Sequence, residues 1–279
     1  MKKIDVRKAI RSKYHGWVPE FIFHRLERLV HEDELNKMME MQDEVDGVSM
    51  GYNIMNYLNV TCEIIGSERL PAPDKRTLFV SNHPLGGVDG IIYCAMLGSV
   101  YKGKLKIPVN DVLMAVYQFG DIFLPVNKYG KQARDSIRQL NEALESDNQV
   151  LTFASGMVSR LDSNGEVRDL DWQPSFIRMA KQSNRIVVPL FFEGENSPRF
   201  YKWGRRRARA GIKFPAELIL LPDEMLRAKG KHFKIIVGEP IDPDDLPIEN
   251  GAEYANKLRD SLYSFPMRYK RTSVNREKT

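Results

Sequence analysis

Apolar positions in the first part of the chain recur at helical spacing. Phe21, Leu26, Leu29 and Val30 form one set, and Leu35, Met38, Met39 and Met41 a second. Met50, Ile54, Tyr57 and Leu58 form a third that shares one helix face. Pro71 and Pro73 interrupt this stretch, and the period then changes. Short apolar runs at Thr77–Val80, Ile122–Val126, Val150–Phe153, Ile186–Phe192, Leu218–Leu221 and Phe233–Val237 read as buried strands, with Pro125 at an edge or an exit. Amphipathic stretches lie between them. In 131–147, Ala133, Ile137, Leu140 and Leu144 make one stripe, and residues 251–263 make another helix that ends before Pro266. Strands alternating with helices predict an α/β fold: a mixed, mostly parallel sheet flanked by helices, with an N-terminal helical subdomain against it. The organisation expected is a helical subdomain over 1–70, an α/β domain over 71–267 and a basic tail over 268–279.

The chain has 279 residues, 42% hydrophobic and 28% charged. A chain of this size buries roughly three quarters of its unfolded surface, so its core needs no staples. Two cysteines, Cys62 and Cys94, exclude a disulfide framework and a four-thiolate zinc site, and make a reduced cytosolic setting the default. The charged N-terminus has no apolar signal-peptide core, and no run approaches the roughly 20 apolar residues of a membrane span. A net charge of +5 suits an anionic partner: nucleic acid, a phosphorylated substrate or a lipid surface.

One segment carries candidate chemistry. Ser81-Asn82-His83-Pro84-Leu85-Gly86-Gly87-Val88-Asp89-Gly90 directly follows the strand at 77–80 and precedes an apolar helical run at 91–98. Ligands of open α/β sheets sit beyond the carboxyl ends of strands, which is where His83 falls. Glycines allow a sharp turn and close backbone approach. If the loop folds back, Asp89 accepts the Nδ1 proton of His83 and leaves Nε2 as a general base for a hydroxyl or an amine. The plain alternative is a turn with an incidental histidine and a helix-capping aspartate.

This segment resembles the first block of the glycerolipid acyltransferase family, which contains the 1-acylglycerol-3-phosphate acyltransferases. The family pattern is Asn-His-x-x-x-x-Asp; here five residues separate His83 from Asp89, as in a bacterial, hemolysin-like branch. Phe119 to Val126 stands in place of the second block, with Val126 where the family has arginine and Lys128 two residues on. Phe153-Ala154-Ser155-Gly156-Met157-Val158-Ser159-Arg160 stands in place of the third. There Ser155 replaces a glutamate and arginine arrives late, as Arg160. Ile186 to Leu190 matches the apolar fourth block.

The resemblance implies transfer of a fatty acyl group from an acyl thioester, carried by acyl carrier protein or coenzyme A, to a lyso-lipid. His83 would be the base and Asp89 its orienting partner. Asn82, Gly86, Gly87, Lys128, Ser155, Gly156 and Arg160 are the substrate-binding candidates, and the amides of Gly86, Gly87 or Gly156 are candidates for the oxyanion. The altered second and third blocks argue against a phosphate grip and toward an amino-acid head group. Acylation of lysophosphatidate is the alternative, and a non-catalytic lipid- or nucleic-acid-binding scaffold is the rival of another class. No metal is expected, because His83 and Asp89 lack a third ligand, and no cofactor is expected beyond the thioester co-substrate. His15, His24, His31 and His232 also lack partners at ligand spacing, and no Gly-x-Ser-x-Gly elbow surrounds Ser155 or Ser159. Asp121 could meet an acceptor amine or sit in a solvated turn.

The stretch Arg199 to Arg209 holds six basic residues, three aromatics and no acid. With the acyltransferase resemblance, Trp203, Arg205, Arg206 and Arg207 become candidates for contact with a membrane surface or a carrier protein, rather than nucleic acid. Trp17, Phe21 and Phe23 either join that surface or pack the helical subdomain. The expected location is cytoplasmic, peripheral on the inner face of the cell membrane.

Overall fold

The computed structural model describes residues 4–11, 16–40, 45–110, 119–126, 131–212 and 214–266. Lys128, His15 and the tail from Arg268 lie outside the described residues.

Among the described residues the chain opens with helices α1 (Val6–Arg11), α2 (Glu20–Leu29), α3 (Glu32–Glu40) and α4 (Gly47–Tyr57). The helical reading ends there, because Thr61–Ile65 is a strand, β1, of the main sheet. It is followed by β2 (Thr77–Ser81), α5 (Val88–Val100), β3 (Leu105–Asn110), β4 (Phe123–Val126), α6 (Lys131–Glu145) and β5 (Gln149–Phe153). A small hairpin of β6 (Arg160–Leu161) and β7 (Val167–Arg168) precedes α7 (Ser175–Ser183), β8 (Ile186–Glu193), α8 (Pro198–Arg209), α9 (Leu221–Arg227), β9 (His232–Val237) and α10 (Gly251–Leu262).

Among the described residues the main sheet runs β1-β9-β8-β2-β5-β3-β4. Every neighbouring pair is parallel except β8 with β9. The sheet is thus mixed and mostly parallel, with Pro125 on an edge strand that tolerates its missing N–H.

Side chains alternate between two cores, as the period of a strand requires. Phe79, Leu151, Val188 and Ile235 face α4 and α5, and Leu78, Val80, Val150 and Val187 face α6, α7 and α10. Strands covered on both faces read as continuous apolar runs, and all five residues of β2 are buried. α5 is apolar nearly all round and lies deep, and a Cβ on Gly51 of α4 would stand 2.9 Å from the backbone nitrogen of Ala95. A third, smaller cluster joins Val158, Phe200, Tyr201 and Leu220.

Two local expectations fail. Leu218–Leu221 forms no strand: Ala216–Leu220 is a 3-10 turn that leads into α9, with Pro222 in the first helical turn, where its missing N–H costs nothing. In α6 the predicted stripe holds at Leu140 and Leu144, which face the core beside Ala143, but Ile137 is exposed.

Candidate active site

β2 ends in the middle of the sheet, between β8 and β5, and delivers His83 just past its last residue. Asn82 makes the exit. Its side chain is buried and grips the main chain of Phe192 with both ends: Nδ2 donates to the carbonyl at 3.0 Å, and Oδ1 accepts the Phe192 N–H at 2.7 Å. The amide proposed to meet substrate is therefore committed to β8.

The loop then folds back. Gly86 adopts φ +75°, and a Cβ there would come within 2.4 Å of Val158 Cγ2, so only glycine fits. His83 Nδ1 stands 3.0 Å from Asp89 Oδ2, across one residue more than the family spacing. Asp89 has no exposed surface and accepts further N–H groups from Leu85 at 3.0 Å, Gly86 at 3.3 Å and Gly90 at 2.9 Å. An acceptor-only carboxylate so held makes Nδ1 the protonated nitrogen and leaves Nε2 as the basic one. The imidazole stacks on Phe153, with ring centroids 3.9 Å apart, and keeps 17% of its surface exposed.

Burial works against a charged His83, but the Asp89 carboxylate, by charge and hydrogen bond, and Asp169 behind it outweigh burial, and His83 titrates above its ordinary value. Burial also opposes the charge on Asp89; His83 and the surrounding amides overcome it and hold Asp89 below the usual carboxylate range. The main chain of His83 is pinned as well. Its N–H donates to Asp169 Oδ1 at 3.2 Å, and its carbonyl accepts the Ser159 N–H at 2.9 Å.

The other candidates divide. The Gly86 amide is used by Asp89, and the Gly156 amide donates to the Phe153 carbonyl at 2.9 Å. The Gly87 amide, just before α5, meets no acceptor among the described residues, which makes it the available oxyanion donor of the three. Ser155 bonds locally to Met157. Arg160 reaches into the third cluster, where it meets Glu217 at 2.9 Å and lies over Phe200. Glu217 is fully buried and also takes Arg207 at 2.7 Å, so Arg207 is not a free surface cation. Lys202, Trp203, Arg205 and Arg206 are exposed on α8, and Ile212, Phe214 and Ile219 extend that exposed surface. Asp121 accepts the Gly47 N–H at the start of α4, a capping position rather than a site. Phe23 is buried under the guanidinium groups of Arg7 and Arg11, whereas Trp17 and Phe21 are exposed.

A cavity of about 830 Å³ opens beside the loop. Asn82 and Pro84, the two neighbours of His83, line it, together with Ser159, Phe191, Tyr201 and Tyr263. Among the described residues no three His, Cys, Asp or Glu side chains gather at metal-binding distance, and no helix is long and apolar enough to cross a membrane. Asp169 and Glu217 carried no functional signal in the sequence, and Phe153 carried one only as the start of the third block.

A family model described as acyltransferase matches residues 6–271. The chain is 36% identical over 264 residues to a lyso-glycine lipid O-acyltransferase of Phocaeicola vulgatus, covering 93% of this chain and 94% of that protein. It is 37% identical over 268 residues to a protein of the same description from Bacteroides thetaiotaomicron, covering 93% and 96%. Among solved structures, the 1-acyl-sn-glycerophosphate acyltransferase PlsC of Thermotoga maritima aligns at a TM-score of 0.48 and 16% identity, over 79% of this chain and 78% of that one.

Proposed function

We propose, from the premise that this chain belongs to the acyltransferase family, that it moves a fatty acyl group from a thioester to the hydroxyl of a lyso-lipid with an amino-acid head group, the glycine type first. The observation that carries this reading is the near-full-length match to two relatives described by that reaction. The geometry supports the chemistry. His83 Nε2 takes the proton of the acceptor hydroxyl while that oxygen bonds to the thioester carbonyl carbon. Asp89 stabilises the imidazolium that forms. The tetrahedral intermediate places its oxyanion toward the Gly87 amide. Its collapse breaks the carbon–sulfur bond, and the imidazolium proton goes to the departing thiolate. The thioester is already activated, so no enzyme nucleophile is needed.

The donor is an acyl carrier protein or coenzyme A thioester. The lyso-lipid acceptor and its acylated product are amphiphiles, and the exposed Trp203, Ile212 and Phe214 beside Lys202, Arg205 and Arg206 suit an anionic membrane surface. We therefore place the enzyme peripherally on the inner face of the cell membrane.

The test is a product assay by mass spectrometry. Wild type and His83→Ala are each given both thioesters and a panel of glycine, ornithine and phosphatidate-type lyso-lipids. A diacylated glycine lipid formed by wild type alone supports the reading. Faster acylation of lysophosphatidate than of any amino-acid lyso-lipid overturns the acceptor, and no product with any pair overturns the enzyme.

A further inference from the structure

A second buried carboxylate lies behind the His83–Asp89 pair and belongs to no motif. Asp169 follows β7, is 95% removed from solvent and sits 86 residues from His83 in the chain. Its partners are all donors. Oδ1 accepts the His83 main-chain N–H at 3.2 Å and the Ser159 hydroxyl at 2.5 Å, and Oδ2 accepts the Trp172 indole N–H at 2.9 Å. Its own N–H donates to the Tyr263 hydroxyl at 2.7 Å. Ser159 closes the circuit by donating its N–H to the His83 carbonyl at 2.9 Å.

We propose that Asp169 is a positioning residue for the catalytic histidine, which fixes the His83 main chain from behind and adds a second negative charge to the pair. The inference rests on the reading of His83 as the base. The orientation of an imidazole is set by its Cα–Cβ direction and by its ring contacts. Asp89 and Phe153 supply the ring contacts; Asp169 and Ser159 hold the main chain. Neither set alone defines where Nε2 points. Three converging donors demand an acceptor-only group, so an amide at position 169 must aim its NH₂ at a donor.

The charge acts on the same histidine. The groups that face His83 are Asp89 from α5, Asp169 from the segment after β7 and Arg160 from β6. Both carboxylates favour the imidazolium, and Arg160 opposes it. Asp169 keeps an upward-shifted pKa of its own from burial, offset by the Ser159 and Trp172 hydrogen bonds and the His83 amide. Its neighbours Ser159 and Tyr263 line the 830 Å³ cavity, so the network is also a wall of that cavity.

The experiment uses the double variant Asp169→Asn with Trp172→Phe. Removing the indole donor gives the amide NH₂ a place to point, so the charge is lost without a donor–donor clash. Trp172→Phe alone is the reference. The readouts are steady-state kinetics across pH and an NMR titration of the His83 ring. We expect the double variant to lose about 10- to 10²-fold in kcat against the reference, the scale of a small misplacement of a catalytic group. KM for the acceptor should stay within about twofold, uniform binding being untouched. The His83 titration and the acidic limb of the rate profile should both move to lower pH. A folded double variant whose kcat, limb and titration match those of Trp172→Phe overturns the proposal. The NMR titration needs no turnover: a shift there, with wild type acylating no lyso-lipid, would sink the assigned reaction and leave the coupling of Asp169 to His83 standing.

Discussion

Asp89 and Glu217 are both carboxylates with no exposed side-chain surface, each facing a basic group, yet they build different things. Glu217 takes two guanidiniums, and the remaining N–H groups of those arginines turn to carbonyls: Arg160 to Val158 and Ser159, Arg207 to Ile212. Arg160 also lies over the Phe200 ring, 5.3 Å from its centroid. Both carboxylate oxygens are taken by guanidinium groups, and the result ties α8 and the turn at Ala216–Leu220 to β6 of the hairpin. Asp89 takes an imidazole, which has two nitrogens, and uses one. The second nitrogen has no partner among the described residues, and the ring's basicity is raised. A buried ionic cluster becomes a reaction centre when its partner has something left over.

The strongest way to break this contrast is His83→Ala. We expect kcat/KM to fall by about 10²- to 10⁴-fold, the general-base factor, in protein that still folds. Near-full activity would remove the left-over nitrogen from the mechanism. Glu217→Gln should do the reverse. It leaves two buried guanidiniums without their anion, a loss of about 3–5 kcal/mol in denaturant unfolding. The folded fraction should keep its turnover at low temperature. A variant with wild-type stability but a weakened acceptor KM would instead return Arg160 to substrate binding.

A pH series sharpens the comparison. The base must be neutral, so the rate should rise with pH through a value above the ordinary histidine pKa of about 6.5. The stability contributed by His83 runs the other way. It is present below the unfolded pKa of about 6.5, down to the acid range where Asp89 protonates, and is lost as pH rises through the higher folded value. Activity and this part of the stability should therefore cross, and Asp89→Asn should shift the activity limb to lower pH. An activity limb below 6.5 in the wild type would contradict the electrostatics. The smallest effect concerns α8. Arg205→Glu and Arg206→Glu should each weaken binding to anionic vesicles by about 1 kcal/mol or somewhat more, measured by co-sedimentation at constant salt. Arg207→Glu should act on folding, because Arg207 faces Glu217.

Sequence pattern carried the central strands because burial on both faces leaves an apolar run with few alternatives, as at Thr77–Ser81 and Ile186–Glu193. It carried α10 through its stripe. It failed where four apolar residues fit either state: Leu218–Leu221 lies between Pro215 and Pro222, and the second proline suits the start of α9. β1 was missed because it is an edge strand with Glu63 at its centre, and it reads as polar. Of the site, His83 and Asp89 were legible since one turn of glycine loop joins them. Asp169 and Glu217 were not, because His83 lies 86 residues from the one and Arg160 lies on a separate segment from the other, and no local spacing encodes either meeting. Arg160 was legible as a cation, but the carboxylate that neutralises it comes from 57 residues further on.

The grip of Asn82 on Phe192 has a consequence of another kind. A carboxamide has the same donor and acceptor as a peptide unit, so here a side chain stands in for one more rung of the β2–β8 ladder while the main chain of His83 turns to Asp169 and Ser159. The Phe192 amide proton is thus sheltered by a side chain rather than by a strand. In deuterated solvent it becomes a reporter at the very edge of the reaction loop. Slow exchange means that the loop is docked; exchange faster than that of its β8 neighbours means that it has lifted. The sheet carries its own isotopic gauge of whether the catalytic turn is seated.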